Sequence, residues 1–437
     1  MRVGPAFLQT FAVQVAQTLA SILTGVLIAR GLGPAGQGHY AFFAAAVAFS
    51  VIIASFGQFE GNVLSSAGQS AAGRILLTRA ILQSVGVLLI LAAFFPVWRG
   101  FFARNGIVQV ALMFPLILAL EVQAQLIRGV NLGQHHITAY NVASLIQRLG
   151  NLCAILWLAF RGAWNLSSVL YAWAFAAALS TVVSGIWIWI RSDVVRLGVT
   201  ALLGGWRTSV HRGARALVTI AFTVLLVRCD IWMLGHYLGS AAVGQMSVAS
   251  TLAEWLWYVP SILGNVLFAA AAADAAAATR QISRASRAII SLVVPAAIVL
   301  VVVGRRVVPL IYGSAYVPAG LLFVILVPGM SAIALHLVVD SFFAGRGFPA
   351  ISIWSATGAL VAKVGLNLVV IPRWGAAGAA AVTTLVYTSL AVVKVVAFRL
   401  ETGTPVRAIL LPTLQDFSGN ASLARAWLVS RLGQGSV

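Results

Sequence analysis

GLGPAGQGHYAF, Gly31 to Phe42, sets four glycines and a proline directly after an unbroken apolar run. The chain writes the pattern again as YLGSAAVGQMSV, Tyr237 to Val248. Leu32, Gly33, Ala35 and Gly38 then fall in register on Leu238, Gly239, Ala241 and Gly244. A glycine at positive φ ends a helix, proline suits the first turn of the next, and a further glycine permits close helix packing. Both stretches therefore read as turns between apolar helices, with Gly31 and Gly33 as the stops, Pro34 as the start and Gly38 as the contact. Their duplication marks two structural repeats.

The surrounding composition agrees. The chain has 437 residues, of which 61% are hydrophobic and 8% charged. A soluble globule carries roughly 25% charged residues, so this chain lacks the polar surface to stay in water. Its apolar runs are about 20 residues long, the length a helix needs to cross the hydrocarbon core, and no period-two alternation suggests a barrel. The spacing predicts spans at Ala6 to Ile28, Ala41 to Val63, Ile75 to Val97, Ile107 to Leu126, Tyr140 to Phe160 and Leu166 to Ile190. The second half gives Ala216 to Leu234, Val243 to Ala269, Ala288 to Val303, Ala319 to Val339, Ile351 to Val370 and Ala376 to Ala397. Arg305 and Arg306 cut the ninth span short. The expected fold is all-α and integral to the membrane, with twelve transmembrane helices in two six-helix lobes, parallel pseudo-repeats around a central cavity.

A second echo supports six plus six. RGVNLGQHHITAYN, Arg128 to Asn141, joins spans four and five, and FAGRGFPAISIWS, Phe343 to Ser355, joins ten and eleven. Spans five and eleven then carry Arg148 and Lys363 deep in their sequence. The expected domains are an N-terminal lobe at 1–192, a basic cytoplasmic linker at 193–214, a C-terminal lobe at 215–398 and a cytoplasmic tail at 399–437. Within the tail, AIL and ARAWLVSRL suit a short interfacial helix.

A net charge of +19 suggests nucleic acid at first sight, but the arginines are arranged for a membrane. With a cytoplasmic N-terminus, the inside connections hold Arg74, Arg79, Arg128, Arg191, Arg196, Arg207, Arg212, Arg215, Arg280, Arg284, Arg287 and Arg346. The outer side keeps fewer: Arg30, Arg99, Arg104, Arg161, Arg305, Arg306 and Arg373. The positive-inside rule then places both termini in the cytoplasm, and anionic lipid heads account for most of the charge. No nucleic-acid partner is expected. Cys153 and Cys229 both fall inside spans, which indicates packing rather than a disulfide framework or metal site. His135 and His136 are adjacent in a loop with no further ligand in view. Both lysines follow residues other than glycine, so there is no Walker GK[ST] sequence, and neither H-E-x-x-H nor G-x-S-x-G occurs. No cofactor is expected.

A charge at mid-bilayer costs about 2.5 to 3.5 kcal/mol on insertion scales, so charges retained there face a bundle interior or a wet cavity. Glu121, Gln125 and Arg128 share one face of the fourth span, and Ser247, Thr251, Glu254 and Tyr258 one face of the eighth. Gln14, Thr18, Ser21 and Gly25 line the first span, and Asn141 aligns with Arg148 in the fifth. Arg228 and Asp230 in the seventh diverge by about 160° and need separate partners. Gln58 and Glu60 end the second span, and His336 and Asp340 stand one turn apart in the tenth. Hydrogen bonding between helices is the competing role for each of these stripes.

With IPRWGAAGAAAVTTLVY at Ile371 to Tyr387 beside the two glycine turns, the sequence resembles the polysaccharide-transport branch of the multidrug/oligosaccharidyl-lipid/polysaccharide exporter superfamily. That branch contains the O-antigen and exopolysaccharide flippases. The resemblance spans almost the whole chain through the twelfth helix. Asp230 also matches the acidic residue such proteins carry in helix seven. The early arginine cluster of the peptidoglycan-precursor flippase has no counterpart, because the first span offers only Gln, Thr and Ser. The resemblance implies two lobes alternately open to either side and a lipid-linked oligosaccharide as substrate. A bacterial inner membrane follows, with polysaccharide polymerase and export proteins as further partners. It casts Arg148, Arg228 and Lys363 as partners of a diphosphate, joined by Arg128 and Glu254 at the cavity. Asp230, Glu60, Glu121, His336 and Asp340 are the candidates for ion coupling. A cation-coupled small-molecule or multidrug exporter of the same fold is the alternative. Outward connections nearly free of acids weaken the case for a membrane glycosyltransferase using loop carboxylates, and an O-antigen polymerase or ligase is disfavoured because the longest outward connection is only about a dozen residues.

Overall fold

The computed structural model describes residues 3–59, 62–63, 72–193, 206–258, 260–261, 263–264, 267, 275–346 and 350–411. Glu60, most of the basic linker and the ARAWLVSRL segment lie outside the described residues. In chain order the helices are α1 (Val3–Ser55), α2 (Ala72–Ala93), α3 (Phe95–Arg104), α4 (Met113–Gly133), α5 (Ile137–Arg161), α6 (Leu166–Arg191) and α7 (Trp206–Leu238). They continue as α8 (Ser240–Ala253), α9 (Ala275–Tyr312), α10 (Val317–Gly345), α11 (Ala350–Thr402) and α12 (Val406–Leu410). An apolar chain in lipid must satisfy its backbone hydrogen bonds internally, and helices do so within one segment.

Nine of the described helices are long and apolar enough to cross a membrane. Two of these, α1 and α11, bend at a glycine and hold two spans each, Gly33 at φ 66° and ψ 178° and Gly375 at φ 60° and ψ −149°. The stretch after Ala253, helical again over 255–258, completes the eighth span begun by α8. The twelve helices of the sequence reading are thus accounted for.

The glycine turns are tighter than expected. In the opening motif only Gly33 leaves the helical region, and Pro34 follows it at the first turn of the second arm. Gly31 stays helical, and its lack of a side chain makes room for a neighbour: a Cβ there would lie 2.2 Å from the Trp164 ring. Gly239, in register with Gly33, likewise has positive φ, 80°.

Several boundaries differ from the hydropathy windows. The third span ends at Ala93, because Pro96 opens the separate helix α3 at its second position. The fourth begins at Met113 rather than Ile107, after Gly106 at φ 72° and a 3-10 turn at Val108–Val110. That shift carries Arg128 from a connection into the body of α4. The ninth helix does not stop before Arg305 and Arg306. It runs to Tyr312 with both arginines exposed, consistent with long side chains reaching the membrane surface.

Two compact units are present, Met1–Gly244 and Gln245–Val437. In the first, Ile28, Ile155, Leu158, Val169 and Ala172 bury one another between α1, α5 and α6. In the same unit Phe43 stacks on Phe102, and both meet Phe114 edge-on, with ring centroids 5.1 to 6.0 Å apart. In the second, Ala334, Val338, Phe342 and Phe343 of α10 pack on Ile282 and Ile289 of α9 and Val395 and Phe398 of α11. Large apolar side chains also face outward, among them Phe160, Val302 and Leu310. This is the expected outcome where the solvent is itself apolar.

Candidate functional site

Within the first unit, α4 presents Glu121 and Arg128 two turns apart on the face that meets α5 and α6. Arg128 Nη1 donates to Gln147 Oε1 at 2.6 Å, and Gln147 Nε2 donates to Glu121 Oε1 at 2.7 Å. Trp173 Nε1 of α6 donates to the same carboxylate oxygen at 2.7 Å. Gln147 therefore relays between a base and an acid that do not touch. Hydrogen bonds to a carboxylate are stronger than those between neutral groups. Tyr40 of α1 lies edge-on to Trp173, centroids 6.1 Å apart, and within the electrostatic reach of Glu121 and Arg148.

Arg148 follows Gln147 by about 100° around α5 and is exposed, so it stands beside this network rather than inside it. Asn141, aligned with it in the sequence, is buried. The hydroxyl stripe of α1 is satisfied locally. Thr18 and Ser21 donate to the carbonyls of Gln14 and Gln17, four residues back, each at 2.8 Å.

In α7, Arg228 is half-buried and Asp230 only 3% exposed. Asp230 Oδ1 accepts the Ile231 backbone N–H at 3.1 Å. A buried carboxylate so close to an arginine in sequence is costly unless both find partners. That requirement fits their divergence around the helix.

The second unit holds two polar clusters. Lys363 is 0% exposed, with its ammonium 5.3 Å from the Tyr387 ring centre, where the π face attracts a cation. Asn367, one turn on and also 0% exposed, has no hydrogen-bond partner for either amide atom. Toward the other end of α10, Lys394 Nζ lies 2.5 Å from Asp340 Oδ1 and donates to Ser352 Oγ at 2.7 Å. Its ammonium also sits 4.8 Å from the Phe343 ring centre. His336, one turn before Asp340, keeps a buried Nδ1 with no hydrogen-bond partner. Asp340 thus faces an ammonium ion that already balances its charge.

Glu254 marks the end of α8. It is half-buried at a one-residue break, its N–H donating to Ser250 at 2.8 Å and its carbonyl accepting from Trp257 at 3.1 Å. Among the described residues no three His, Cys, Asp or Glu side chains converge as a metal site would require.

The structure thus brings Glu121 together with Arg128, and places His336 and Asp340 on one face of α10. Arg148 is left exposed and Lys363 fully covered. Gln147, Trp173, Ser352 and Lys394 are the participants that sequence reasoning did not single out. Lys394 left a signal, being a lysine inside an apolar run; Gln147 left only its adjacency to Arg148.

Residues 27–321 match the protein family described as polysaccharide biosynthesis protein. No curated protein sequence matches the chain. Among solved structures it is similar to the lipid II flippase MurJ in an inward closed conformation, with TM-score 0.72, 12% identity, and coverage of 92% of this chain and 89% of that one. An inward-facing multidrug resistance transporter of the MATE family gives TM-score 0.66 at 15% identity, covering 90% of this chain and 95% of that one. An outward-facing MATE structure gives 0.64 at 16%, with 92% and 94% covered. At such identities the likeness is one of fold.

Proposed function

The chain belongs to the polysaccharide biosynthesis protein family, and from that premise we propose that it is a flippase. Its cargo would be an undecaprenyl-diphosphate-linked oligosaccharide or polysaccharide repeat unit, carried from the cytoplasmic to the outer leaflet of a bacterial inner membrane. Both termini are then cytoplasmic, a placement that the arginine distribution supports. The observation that carries this reading is the family match over a fold shared with the lipid II flippase MurJ. The surplus of intramembrane cations points the same way, since an anionic diphosphate needs them and a cationic drug does not.

The physical task is large. Leaving a sugar hydroxyl unpaired in hydrocarbon costs roughly 2 to 7 kcal/mol, so several together reach about 30 kcal/mol. A barrier of ~30 kcal/mol allows only ~10⁻⁹ crossings per second. A polar route through the protein replaces the lost hydrogen bonds while the prenyl tail stays in lipid. In the first unit, exposed Arg148 and half-buried Arg228 are the residues best suited to meet the diphosphate, with Arg128 as a further cation; in the second, Lys363 is available only once it is uncovered, and Glu254 suits sugar hydroxyls rather than phosphate. Solved proteins of this fold are seen in inward- and outward-facing forms, which supports alternating access here.

The second reading, a cation-coupled small-molecule exporter, rests on the buried acid Asp230 and on the fold shared with multidrug transporters. A deletion strain separates the two. Lipid-linked oligosaccharide accumulating on the cytoplasmic leaflet supports the flippase; normal polysaccharide with altered drug sensitivity supports the exporter. Arg148→Ala and Arg228→Ala are each expected to abolish export while leaving folded protein in the membrane. Full export by both variants removes the diphosphate role.

A further inference from the structure

The end of the first unit where α2, α4 and α6 meet gathers polar groups that the transport reading does not use. A Cβ on Gly73 would lie 2.0 Å from Ser192 Oγ and 2.8 Å from Gln134 Nε2, so side chains from the ends of α6 and α4 converge on the backbone of α2. Arg74, the next residue, is anchored to α6. Its Nη2 donates to the Trp189 carbonyl at 2.9 Å, and its guanidinium lies 4.5 Å from the Trp189 ring centre. Two residues beyond Trp189, the Arg191 guanidinium stands 5.3 Å from the Trp187 ring centre.

Several buried polar atoms at this junction have no hydrogen-bond partner: Arg74 Nε, Ser192 Oγ, His136 Nδ1 and both amide atoms of Asn131. Ser192 is 5% exposed and Asn131 0%. Asn131 and His136 belong to one turn, because the His136 N–H donates to the Asn131 carbonyl at 2.9 Å. His136 in turn feels the charge of Arg191.

Such groups are expensive to bury unless something meets them. The chemistry of that something follows from the inventory. Arg74 Nε–H and the Asn131 amide nitrogen are donors and the Ser192 hydroxyl can donate or accept, while Asn131 Oδ1 and Gln134 Oε1 can only accept. Among the described residues of the junction, Arg74 and Arg191 outweigh the exposed acid Asp193. A water would satisfy a neutral set, but a set that carries the Arg74 and Arg191 guanidinium groups matches anionic oxygens. Its place at the ends of apolar helices, flanked by Trp187 and Trp189, is the level of lipid headgroups. By the positive-inside rule this is the cytoplasmic face.

We propose that the α2–α4–α6 junction binds the phosphate of a lipid headgroup, with Arg74 and Ser192 as its contacting residues. The proposal stands on the junction alone and does not depend on what the protein transports.

The test uses full-length protein in nanodiscs of neutral phosphatidylcholine doped with phosphatidylglycerol, with retained lipid counted by native mass spectrometry. Wild-type protein should retain phosphatidylglycerol at least about fivefold better than Arg74→Gln, one lost charge-assisted contact. Ser192→Ala, a change too small to unfold the protein, should retain less than wild type. Arg161→Gln removes an equivalent Arg–Trp stack at the opposite end of α5 and should leave retention unchanged. Competition by inorganic pyrophosphate would identify the phosphate itself as the recognised group, and its failure to compete would assign recognition to the whole headgroup; both keep the site. Equal retention by wild type, Arg74→Gln and Ser192→Ala overturns it. A defect in oligosaccharide export has no bearing on this readout, so failure of the flippase reading is separately visible.

Discussion

Gly38 and Gly244 lie against each other's helices so closely that neither has room for a side chain. A Cβ on Gly38 would fall 1.8 Å from the Ser240 carbonyl oxygen, and one on Gly244 would fall 1.9 Å from the Pro34 carbonyl oxygen. The two glycines occupy equivalent places in the duplicated motif, as do Pro34 and Ser240. The contact is therefore reciprocal, each copy of the motif seating its glycine on the first turn of the other. A duplicated turn thus serves as a self-complementary packing surface as well as a connection.

Alanine at either glycine must push backbone against backbone, which no rotamer can relieve. Gly38→Ala and Gly244→Ala are each expected to destabilise by at least about 1 to 3 kcal/mol, the usual cost of overpacking. Gly25, in the same helix as Gly38, has nothing within 4 Å of its Cβ position. Gly25→Ala should leave the melting temperature in detergent unchanged or slightly raised. Three equal melting temperatures would show that the glycine contact is not close.

What could be read in advance divides along physical lines. Gly33 and Gly239 were legible because a turn between helices needs positive φ and glycine supplies it. Glu121 and Arg128 were legible because helical spacing puts both on one face. The same logic could not supply their mediator, since Gln147 sits on another helix and sequence spacing says nothing about which helices meet. Lys394 is visible as a lysine in an apolar run, but its pairing is not, for the same reason: its partner Asp340 lies on α10. The offset of the fourth span shows the limit of hydropathy: Ile107 to Leu112 is apolar enough for a helix, yet Gly106 and the 3-10 turn delay α4 until Met113. The identity of Gly31 points to the turn, whereas its want of a side chain answers to Trp164, a residue far along the chain.

Removing the relay at Gln147 should damage both its neighbours. Gln147→Leu leaves a guanidinium N–H and a carboxylate oxygen each short of a bond, a loss of about 1 to 3 kcal/mol. Gln147→Glu restores a partner for Arg128 but sets two carboxylates together, so it should be no better. The double variant Glu121→Gln with Gln147→Glu returns one acid, one amide and one base to the cluster and should recover much of the stability. A double variant as unstable as the sum of its parts would show that these residues do not act as a unit.

Lys394 and Asp340 should show a strong asymmetry between single and double substitution. Lys394→Met strands a carboxylate, and Asp340→Asn strands a lysine that is 1% exposed. Breaking such a pair from one side costs roughly 3 to 5 kcal/mol, while replacing both partners by apolar or neutral groups is often close to neutral. The double variant should therefore melt near the wild-type temperature and both singles well below it. If ion coupling runs through Asp340, the double variant will fold and fail to transport. Normal transport by that variant removes Asp340 from the coupling candidates.

His136 provides a pH signature for the junction of α4 and α6. Burial first, and then the charges of Arg191 and His135, hold its pKa below the ordinary 6.5. The unfolded chain thus takes up this proton at a higher pH than the folded protein does. As pH falls below about 6.5, the unfolded state binds more protons and stability declines, until the folded-state pKa is passed. Above that window the contribution is fully present. His136→Gln, which cannot titrate, should flatten the fall in melting temperature between about pH 7 and about pH 5 relative to wild type. The effect will be modest, because the ring is partly solvent-screened. An identical slope in both proteins would mean that the imidazole titrates as freely in the folded state as in the unfolded chain, and that Arg191 does not act on it.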